Sequence, residues 1–267
     1  MAGERLRVLV LYAESETYTD AVWNHLQALG RSEHDVFFMS GTSPAFLDLR
    51  PFDVVVLHYS VRLCLPFSPG GGSHIGVLVE DALAAFNGVK ILFVQDDYEG
   101  TEVTRKRMDR IGFDVVFTII PKPEDARAVY PSSRFPGLDV VPVLTGYASS
   151  AAPGTDRGTV PILERTCRIA YRGRTLPFQY GDLGQEKVEI GRRMKAACLA
   201  RQVPHDIAWD DKSRIYGEAW TDFLESARAT LVTESGSNVF DEDWELRKAV
   251  EAILKQAPAT TYATVRA

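Results

Sequence analysis

The sequence has few cysteines, no long apolar run and no excess of positive charge. Its three cysteines, Cys64, Cys167 and Cys198, are odd in number and widely spaced, which argues against a disulfide framework and favours a reducing compartment. The apolar runs are too short for a membrane span, and the N-terminus lacks a signal-peptide pattern. A net charge of -6 offers no electrostatic reason to bind nucleic acid. We therefore expect a cytoplasmic globular protein without a transmembrane segment.

Familiar nucleotide and metal motifs are missing as well. The glycine run 70–72 lacks the lysine and the spacing of a Walker sequence, and no dinucleotide fingerprint follows a strand. The adjacent acids Asp96 and Asp97 suggest a magnesium site only at first sight, because neighbouring side chains on an extended segment point in opposite directions. We therefore expect neither a metal nor a cofactor.

The sequence does contain a regular alternation of apolar strands and amphipathic helices. Strands are predicted in the first half near residues 6–12, 35–39, 52–57, 89–94 and 113–120, with helices between most of them. This alternation is typical of a parallel α/β sheet that is covered by helices on both faces. The length of 267 residues suits one large domain or two of ordinary size.

One stretch interrupts this alternation. The residues from Ser149 to Pro161 are mostly small or polar, with proline and glycine among them, a composition typical of an interdomain linker. We therefore predict an N-terminal domain over residues 1–148, a linker over 149–161 and a C-terminal domain over 162–267.

Polar side chains follow two of the predicted strands in the first half. In open α/β sheets, ligands bind at the carboxyl ends of the strands. Each cluster also has a plain structural interpretation, because a histidine can bond a neighbouring backbone group and a carboxylate can cap the next helix. The candidates are His58 and Tyr59 after the strand 52–57, and Gln95, Asp96, Asp97 and Tyr98 after the strand 89–94.

A second candidate site lies early in the C-terminal half. A short apolar strand, residues 167–171, leads into a loop that contains Arg172, Gly173 and Arg174. A loop between a strand and a helix N-terminus is suited to binding anions, and two arginines suit a diphosphate. The alternative is a solvated turn with two surface arginines, since strand–loop–helix is the commonest unit of any α/β fold.

The helix after this loop is predicted to begin near Gly181, where Asp182 and Gln185 have the spacing of a capping box. Its first amides are expected to face the same space as the two arginines. A second polar turn follows a later strand and is either a ligand-binding loop or only a tight turn. Its candidates are Glu234, Ser235, Gly236 and Ser237.

Several stretches of the chain resemble one family. They are FDVVVLHYS (52–60), VKILFVQDDYE (89–99), IAYRGR with PFQYGDLGQEK (169–187), and YGEAWTDFLESARATLVTESGSNVFDED (216–243). They are similar to the GT-B glycosyltransferases, and more closely to the glycosyltransferase-like proteins of bacterial polysaccharide gene clusters. The resemblance covers most of the chain and implies two Rossmann-like doubly wound domains. Because the family's pattern continues past Glu245, the second domain is expected to be incomplete.

The resemblance also implies a function. The N-terminal domain would hold the acceptor, and the C-terminal domain would hold a nucleotide-sugar whose sugar passes to a glycan, lipid or other cell-surface polysaccharide acceptor. Arg172 and Arg174 would stabilise the diphosphate leaving group without a metal, and Glu234 would accept hydrogen bonds from ribose or sugar hydroxyls. His58, Asp96 or Asp97 would act as the base if the sugar is transferred with inversion, whereas retention requires no separate base. Peripheral contact with a membrane is compatible with such acceptors.

Two other functions stay open. The chain could be a non-catalytic relative of the same fold that binds a nucleotide-sugar or a partner enzyme. It could also be an unrelated nucleotide-binding α/β protein, although no Rossmann fingerprint or Walker sequence supports this. The sequence does not identify the sugar, the nucleotide, the acceptor or the stereochemical outcome.

Overall fold

A computed structural model describes residues 4–42, 46–64, 74–144, 160–234 and 236–266. The chain divides into two compact units, Met1–Ser150 and Ala151–Ala267. The linker expected over 149–161 lies outside the described residues except for its last two positions, and the glycine run 70–72 lies outside them entirely.

The first unit alternates strands with helices along the chain. Its strands are β1 (Arg7–Tyr12), β2 (Asp35–Ser40), β3 (Val54–Leu57), β4 (Val89–Phe93), β5 (Val115–Thr118) and β6 (Asp139–Pro142), and its helices are α1 (Asp20–Leu29), α2 (Val77–Ala85), α3 (Thr101–Ile111) and α4 (Pro123–Val129). The sheet has the order β2-β1-β3-β4-β5-β6 with every neighbouring pair parallel. The winding direction therefore reverses between β1 and β3, and ligands of open sheets bind at the carboxyl ends of such a pair.

Apolar side chains cover both faces of this sheet. Leu9 and Leu57 belong to a cluster with residues of α2 and α3, whereas Val10 and Val56 pack with α1. Because successive strand side chains point to opposite faces, a strand buried on both faces must be apolar throughout. This explains why β3 is an uninterrupted VVVL run in which every residue is buried. The first polar side chain after it, His58, comes at the carboxyl edge of the sheet.

The second unit has a smaller parallel sheet. Its strands are β7 (Cys167–Arg172), β8 (His205–Ala208) and β9 (Ala227–Thr230), and its helices are α5 (Gly181–Ala200), α6 (Glu218–Ser226), α7 (Glu245–Gln256) and α8 (Tyr262–Arg266). The order is β8-β7-β9, so the winding reverses between β7 and β9. Residues of α5 pack against Tyr171, and Phe223 of α6 packs against Ala170, on the opposite side of β7. The expected α/β class with parallel sheets is confirmed.

Helix α5 comes close to the end of β7 at Gly173. A Cβ atom on Gly173 would lie 2.8 Å from the carbonyl oxygen of Lys187 in α5 and 2.9 Å from the Tyr171 ring. The Tyr171 hydroxyl donates a hydrogen bond to the same Lys187 carbonyl at 2.9 Å. The lack of a side chain at Gly173 therefore sets how closely α5 packs over β7.

We expect Gly173→Ala to destabilise the second unit by about 1–3 kcal/mol, because its methyl group would push the α5 backbone away from β7. Gly30→Ala is the control, since a Cβ atom there would have its nearest neighbour at 3.5 Å, an ordinary contact. Urea unfolding followed by circular dichroism measures both variants. Equal unfolding midpoints for Gly173→Ala and the wild type would contradict this role.

Candidate functional site

The second unit has a cationic cavity of about 500 Å³ at the end of its sheet where the winding direction reverses, between β7 and β9. Residues after β7, β8 and β9 line it together with one residue of α5 and two of α6. Its cations are Arg172, Arg174, Lys187 and Arg214, and its aromatic side chains are Tyr171, Tyr216 and Trp220. Among the described residues that line this cavity, none is acidic. The cavity, which we call the cationic pocket, is therefore suited to an anionic ligand.

Arg172 supports the wall of the cationic pocket. Its guanidinium donates hydrogen bonds to the carbonyl oxygens of Ser213, Tyr171 and Asp206, at 3.0 to 3.1 Å, and to the Asp206 carboxylate at 2.8 Å. A guanidinium has only five N–H donors, so little of this group remains for a ligand. Arg172 therefore has little left to offer a diphosphate directly. It links the end of β7 to Asp206 in β8 and to Ser213 in the turn after β8.

Arg174, Lys187 and Arg214 are better placed to meet an anion. Arg174 is exposed after the end of β7. Burial lowers the pKa of Lys187, and the nearby Arg174 charge lowers it further. The Arg214 guanidinium lies 5.6 Å from the centre of the Tyr216 ring. Since a bound anion would offset the Arg174 charge that lowers the pKa of Lys187, this arrangement favours phosphate groups.

The start of α5 is already capped by the protein. The side-chain oxygen of Asn238 accepts a hydrogen bond from the Leu183 amide at 3.2 Å. Gly181 has a left-handed φ of +70°, and a Cβ atom there would lie 2.6 Å from the same Asn238 oxygen. The Gln185 side chain donates to the carbonyl oxygen of Leu176 and not to the helix start. The expected capping box is therefore wrong, and Asn238 takes a place at the helix start that an anion was expected to fill.

The later polar turn packs against this helix start. The Ser237 hydroxyl lies 3.1 Å from the carbonyl oxygen of Tyr180 and 2.7 Å from that of Val239, and its single proton can be donated to either. Glu234 lines a separate cavity of about 530 Å³, together with Asp182, Leu183, Gln185, Glu186, Glu189 and Asn238. Gly236 has a left-handed φ of +98°, and Ser235 lies outside the described residues. Glu234 and the α5 start thus line an acidic cavity, whereas Arg172, Gly173 and Arg174 line the cationic pocket.

The first unit has a smaller cavity, of about 60 Å³, beyond the ends of β3 and β4. Three of the candidate residues line it, Tyr59, Gln95 and Asp96, and Tyr98 donates a hydrogen bond to Asp96 at 3.0 Å. Lining residues that sequence reasoning missed include Glu16, Arg62 and Glu99. The enclosed volume holds only a few water molecules, so a sugar would occupy its open side.

His58 is fully buried in a chain of hydrogen bonds. The Ser60 amide donates to Nδ1 of His58 at 3.1 Å, so the ring proton lies on Nε2 and is donated to Nδ1 of His25 at 2.9 Å. The Ser60 hydroxyl also lies 2.8 Å from Nδ1 of His58 and accepts from the Ala13 amide at 3.0 Å. Burial lowers the pKa of His25 to about 4 and that of His58 to about 3, where the His25 charge adds to the effect. The expected catalytic His58 therefore cannot touch a substrate in this conformation.

Asp97 is buried as well. Its carboxylate accepts hydrogen bonds from the Thr118 hydroxyl at 2.9 Å, from the Tyr130 hydroxyl and from the Ile119 amide. Burial raises the pKa of Asp97 to about 6, although the hydrogen bonds from Tyr130 and Thr118 oppose this. These partners belong to β5, to the residue after β5 and to the end of α4, so Asp97 ties three segments together. Of the three candidate bases, only Asp96 lines an open cavity.

Sequence reasoning missed most residues of the cationic pocket, and three of them bear on its chemistry. Lys187 has the appearance of any solvated helix lysine, Arg214 follows a short turn after β8, and Trp220 has the spacing of a core residue in α6. The positions of the strands were one usable signal. Because β7 and β8 are parallel, the segments that follow them lie at the same edge of the sheet, and Arg214 is in the segment after β8.

Comparisons of this chain with models of protein families, with curated proteins and with solved structures found no match. Within the residues that the structure describes, no helix is long and apolar enough to cross a bilayer. In the same parts of the chain, no three His, Cys, Asp or Glu side chains come together in a group that could hold a metal ion.

The Asp97 carboxyl group should make folding stability depend on pH. Because its folded pKa of about 6 lies above the ordinary value of 3.8, this group stabilises the folded state at low pH and loses that contribution as the pH rises to about 6. Relative to the wild type, we expect Asp97→Asn to gain about 2 kcal/mol in unfolding free energy between pH 4 and pH 7. Urea unfolding across this range measures the gain.

Tyr130→Phe is the companion variant, because it removes a donor that lowers the pKa of Asp97. In that variant the loss of stability should extend to higher pH than in the wild type. A difference between Asp97→Asn and the wild type that stays constant with pH would contradict the raised pKa.

The histidine pair should have the opposite effect. Since the folded pKa values lie below 6.5, the pair stabilises the folded state above pH 6.5, and this contribution is lost as the pH falls toward 4. When the pH is lowered from 7 to 5, we expect the unfolding free energy of His25→Asn to fall by about 2 kcal/mol less than that of the wild type. The asparagine oxygen can still accept the His58 proton, whereas His25→Phe leaves it unpaired. His25→Phe should therefore share the weaker pH dependence but be less stable at pH 7.

Proposed function

We propose that the chain is a GT-B-type glycosyltransferase whose second unit binds the diphosphate of a nucleotide-sugar in the cationic pocket. The observation that carries this proposal is the convergence of Arg174, Lys187 and Arg214 where the β8-β7-β9 sheet reverses direction. A volume of about 500 Å³ is within the range of small-molecule sites and suits a nucleotide. The proposal includes the finer fold assignment of two Rossmann-like doubly wound domains.

The chemistry of sugar transfer asks for what this pocket offers. When the sugar leaves, negative charge develops on the oxygens of the nucleoside diphosphate. Fixed cations in a partly desolvated pocket stabilise that charge without reorganising during the reaction. Arg174 and Arg214 can form bidentate contacts with phosphate oxygens, and Lys187 can add a point charge. The proposed reaction therefore needs no divalent metal and no cofactor.

The acceptor is assigned to the carboxyl edge of the first sheet. Tyr59 and Gln95 offer hydrogen bonds to hydroxyl groups of a glycan or a lipid-linked sugar, and Asp96 is the candidate base if transfer proceeds with inversion. The proposal includes a polysaccharide, glycan or lipid-linked acceptor in the cytoplasm. The protein would reach this acceptor with or without peripheral contact with a membrane.

A second candidate function is binding of a nucleotide-sugar or a partner without turnover. The burial of His58 and Asp97 favours it, because two of the three candidate bases have their hydrogen-bonding atoms engaged inside the protein. Glycosyl transfer and nucleotide-sugar binding both require the cationic pocket to bind a nucleoside diphosphate, whereas binding of a partner does not. The first two differ in whether the bound nucleotide-sugar is turned over.

We expect Arg174→Ala, Lys187→Ala and Arg214→Ala each to weaken binding of uridine or guanosine diphosphate roughly tenfold to a hundredfold, because each removes a charge-assisted contact. Calorimetry measures the affinities. Arg192→Ala is the matched control, since Arg192 is an exposed α5 arginine that pairs with Glu189. If the three pocket variants bind like the wild type, the diphosphate assignment is wrong.

Release of nucleoside diphosphate from a panel of nucleotide-sugars then separates the two functions. Turnover that falls on Asp96→Asn supports catalysis with Asp96 as the base. Tight binding of a nucleotide-sugar without any turnover supports the non-catalytic function.

A further inference from the structure

Trp220 is a partly exposed aromatic side chain on the wall of the cationic pocket. Its ring stacks on Phe223 with the ring centres 5.7 Å apart and an angle of 30° between the planes. Phe223 is only 8% exposed, whereas Trp220 keeps 37% of its surface exposed. Trp220 lines the same cavity as Arg174, Lys187 and Arg214.

Phe223 is itself in contact with Arg172. The Arg172 guanidinium carbon lies 4.2 Å from the centre of the Phe223 ring, and its N–H groups are bonded to Asp206 and to backbone carbonyls. Arg172 thus contacts Phe223 and Phe223 contacts Trp220, so the three side chains form a chain of contacts at the pocket. An indole supported in this way loses little conformational freedom when a second flat ring packs on it.

We propose that the cationic pocket recognises nucleoside phosphates through stacking of the base on Trp220, with Arg172 and Phe223 as the residues that position the indole. The inference rests on the proposed function and deepens it, because it assigns a binding site to the base, which the cations do not contact. Phosphates account for the three cations but not for an exposed indole beside them. Stacking of a base on an aromatic side chain contributes roughly 5- to 150-fold in affinity, and it tolerates every base because each has a π-face.

The test compares a ligand that carries a base with one that does not. Wild-type protein should bind uridine or adenosine diphosphate at least fivefold more tightly than inorganic pyrophosphate, as measured by calorimetry. Trp220→Leu should lose most of this preference and keep the affinity for pyrophosphate. Trp220→Phe should retain much of the preference, because a phenyl ring still stacks. Arg174→Ala should weaken both ligands together.

Fluorescence gives a second readout. Nucleoside diphosphate should quench tryptophan emission in the wild type, and this quenching should disappear in Trp220→Leu. Trp23→Leu is the control, since Trp23 is an exposed tryptophan in the other unit. Arg172→Lys should weaken binding of the nucleoside diphosphate and leave binding of pyrophosphate unchanged, as expected of a residue that positions Trp220 through Phe223.

The outcomes separate this inference from the proposed function. If Trp220→Leu binds nucleoside diphosphate like the wild type, stacking is refuted while the diphosphate site stands. If Trp220→Leu loses pyrophosphate as well, Trp220 only packs the wall, and the proposal is overturned. If the wild type binds no nucleoside diphosphate, both the proposed function and this inference fail.

Discussion

The second unit depends on where the guanidinium group of Arg172 lies. Four hydrogen bonds and one ring contact attach it to the end of β7, to Asp206 near the start of β8, to the loop before α6 and to Phe223. With only three short strands, this unit has a small apolar core, so polar links between its loops carry much of the order at the sheet edge. The acidic partner, Asp206, is half-exposed. Its charge is therefore well screened by water, and the pocket beside Arg172 keeps its positive potential.

The two sheets share a winding pattern, but the cavities at their carboxyl edges differ in charge. In each sheet the first strand lies between the second and the third, which places a crevice at the carboxyl ends of the first and third strands. The crevice of the second unit is lined by cations. The cavity of the first unit is lined by Glu16, Asp96 and Glu99 with one arginine, Arg62. A ligand with two phosphate groups would be attracted by the second cavity and repelled by the first, whereas a neutral polyol has no such preference.

Sequence reasoning located the strands and most helices because their signals are local. A buried run such as VVVL, or the apolar face of α5, can be recognised from a short stretch of sequence. Helix α4 was missed although Pro123 at its first turn is a known start signal. The site was harder, because its geometry joins distant residues. Asn238 caps α5 through the amide of Leu183, which lies 55 residues earlier in the chain, and His25 meets His58 across 33 residues. No local pattern encodes either contact.

The polar residues at the strand ends face two competing demands. The last amides of a parallel strand and of the loop after it need acceptors, and a ligand needs donors and acceptors that are still available. His58 and Ser60 meet the first demand, since they accept hydrogen bonds from the Ser60 and Ala13 amides, and Asp97 accepts one from Ile119. Burial is the physical criterion that separates the two groups. A polar side chain with no exposed surface has exchanged water for partners inside the protein, and losing those partners to bind a substrate would cost the full desolvation penalty. Asp96, Gln95 and Tyr59 keep surface that a ligand can reach, while His58 and Asp97 hold the edge in shape.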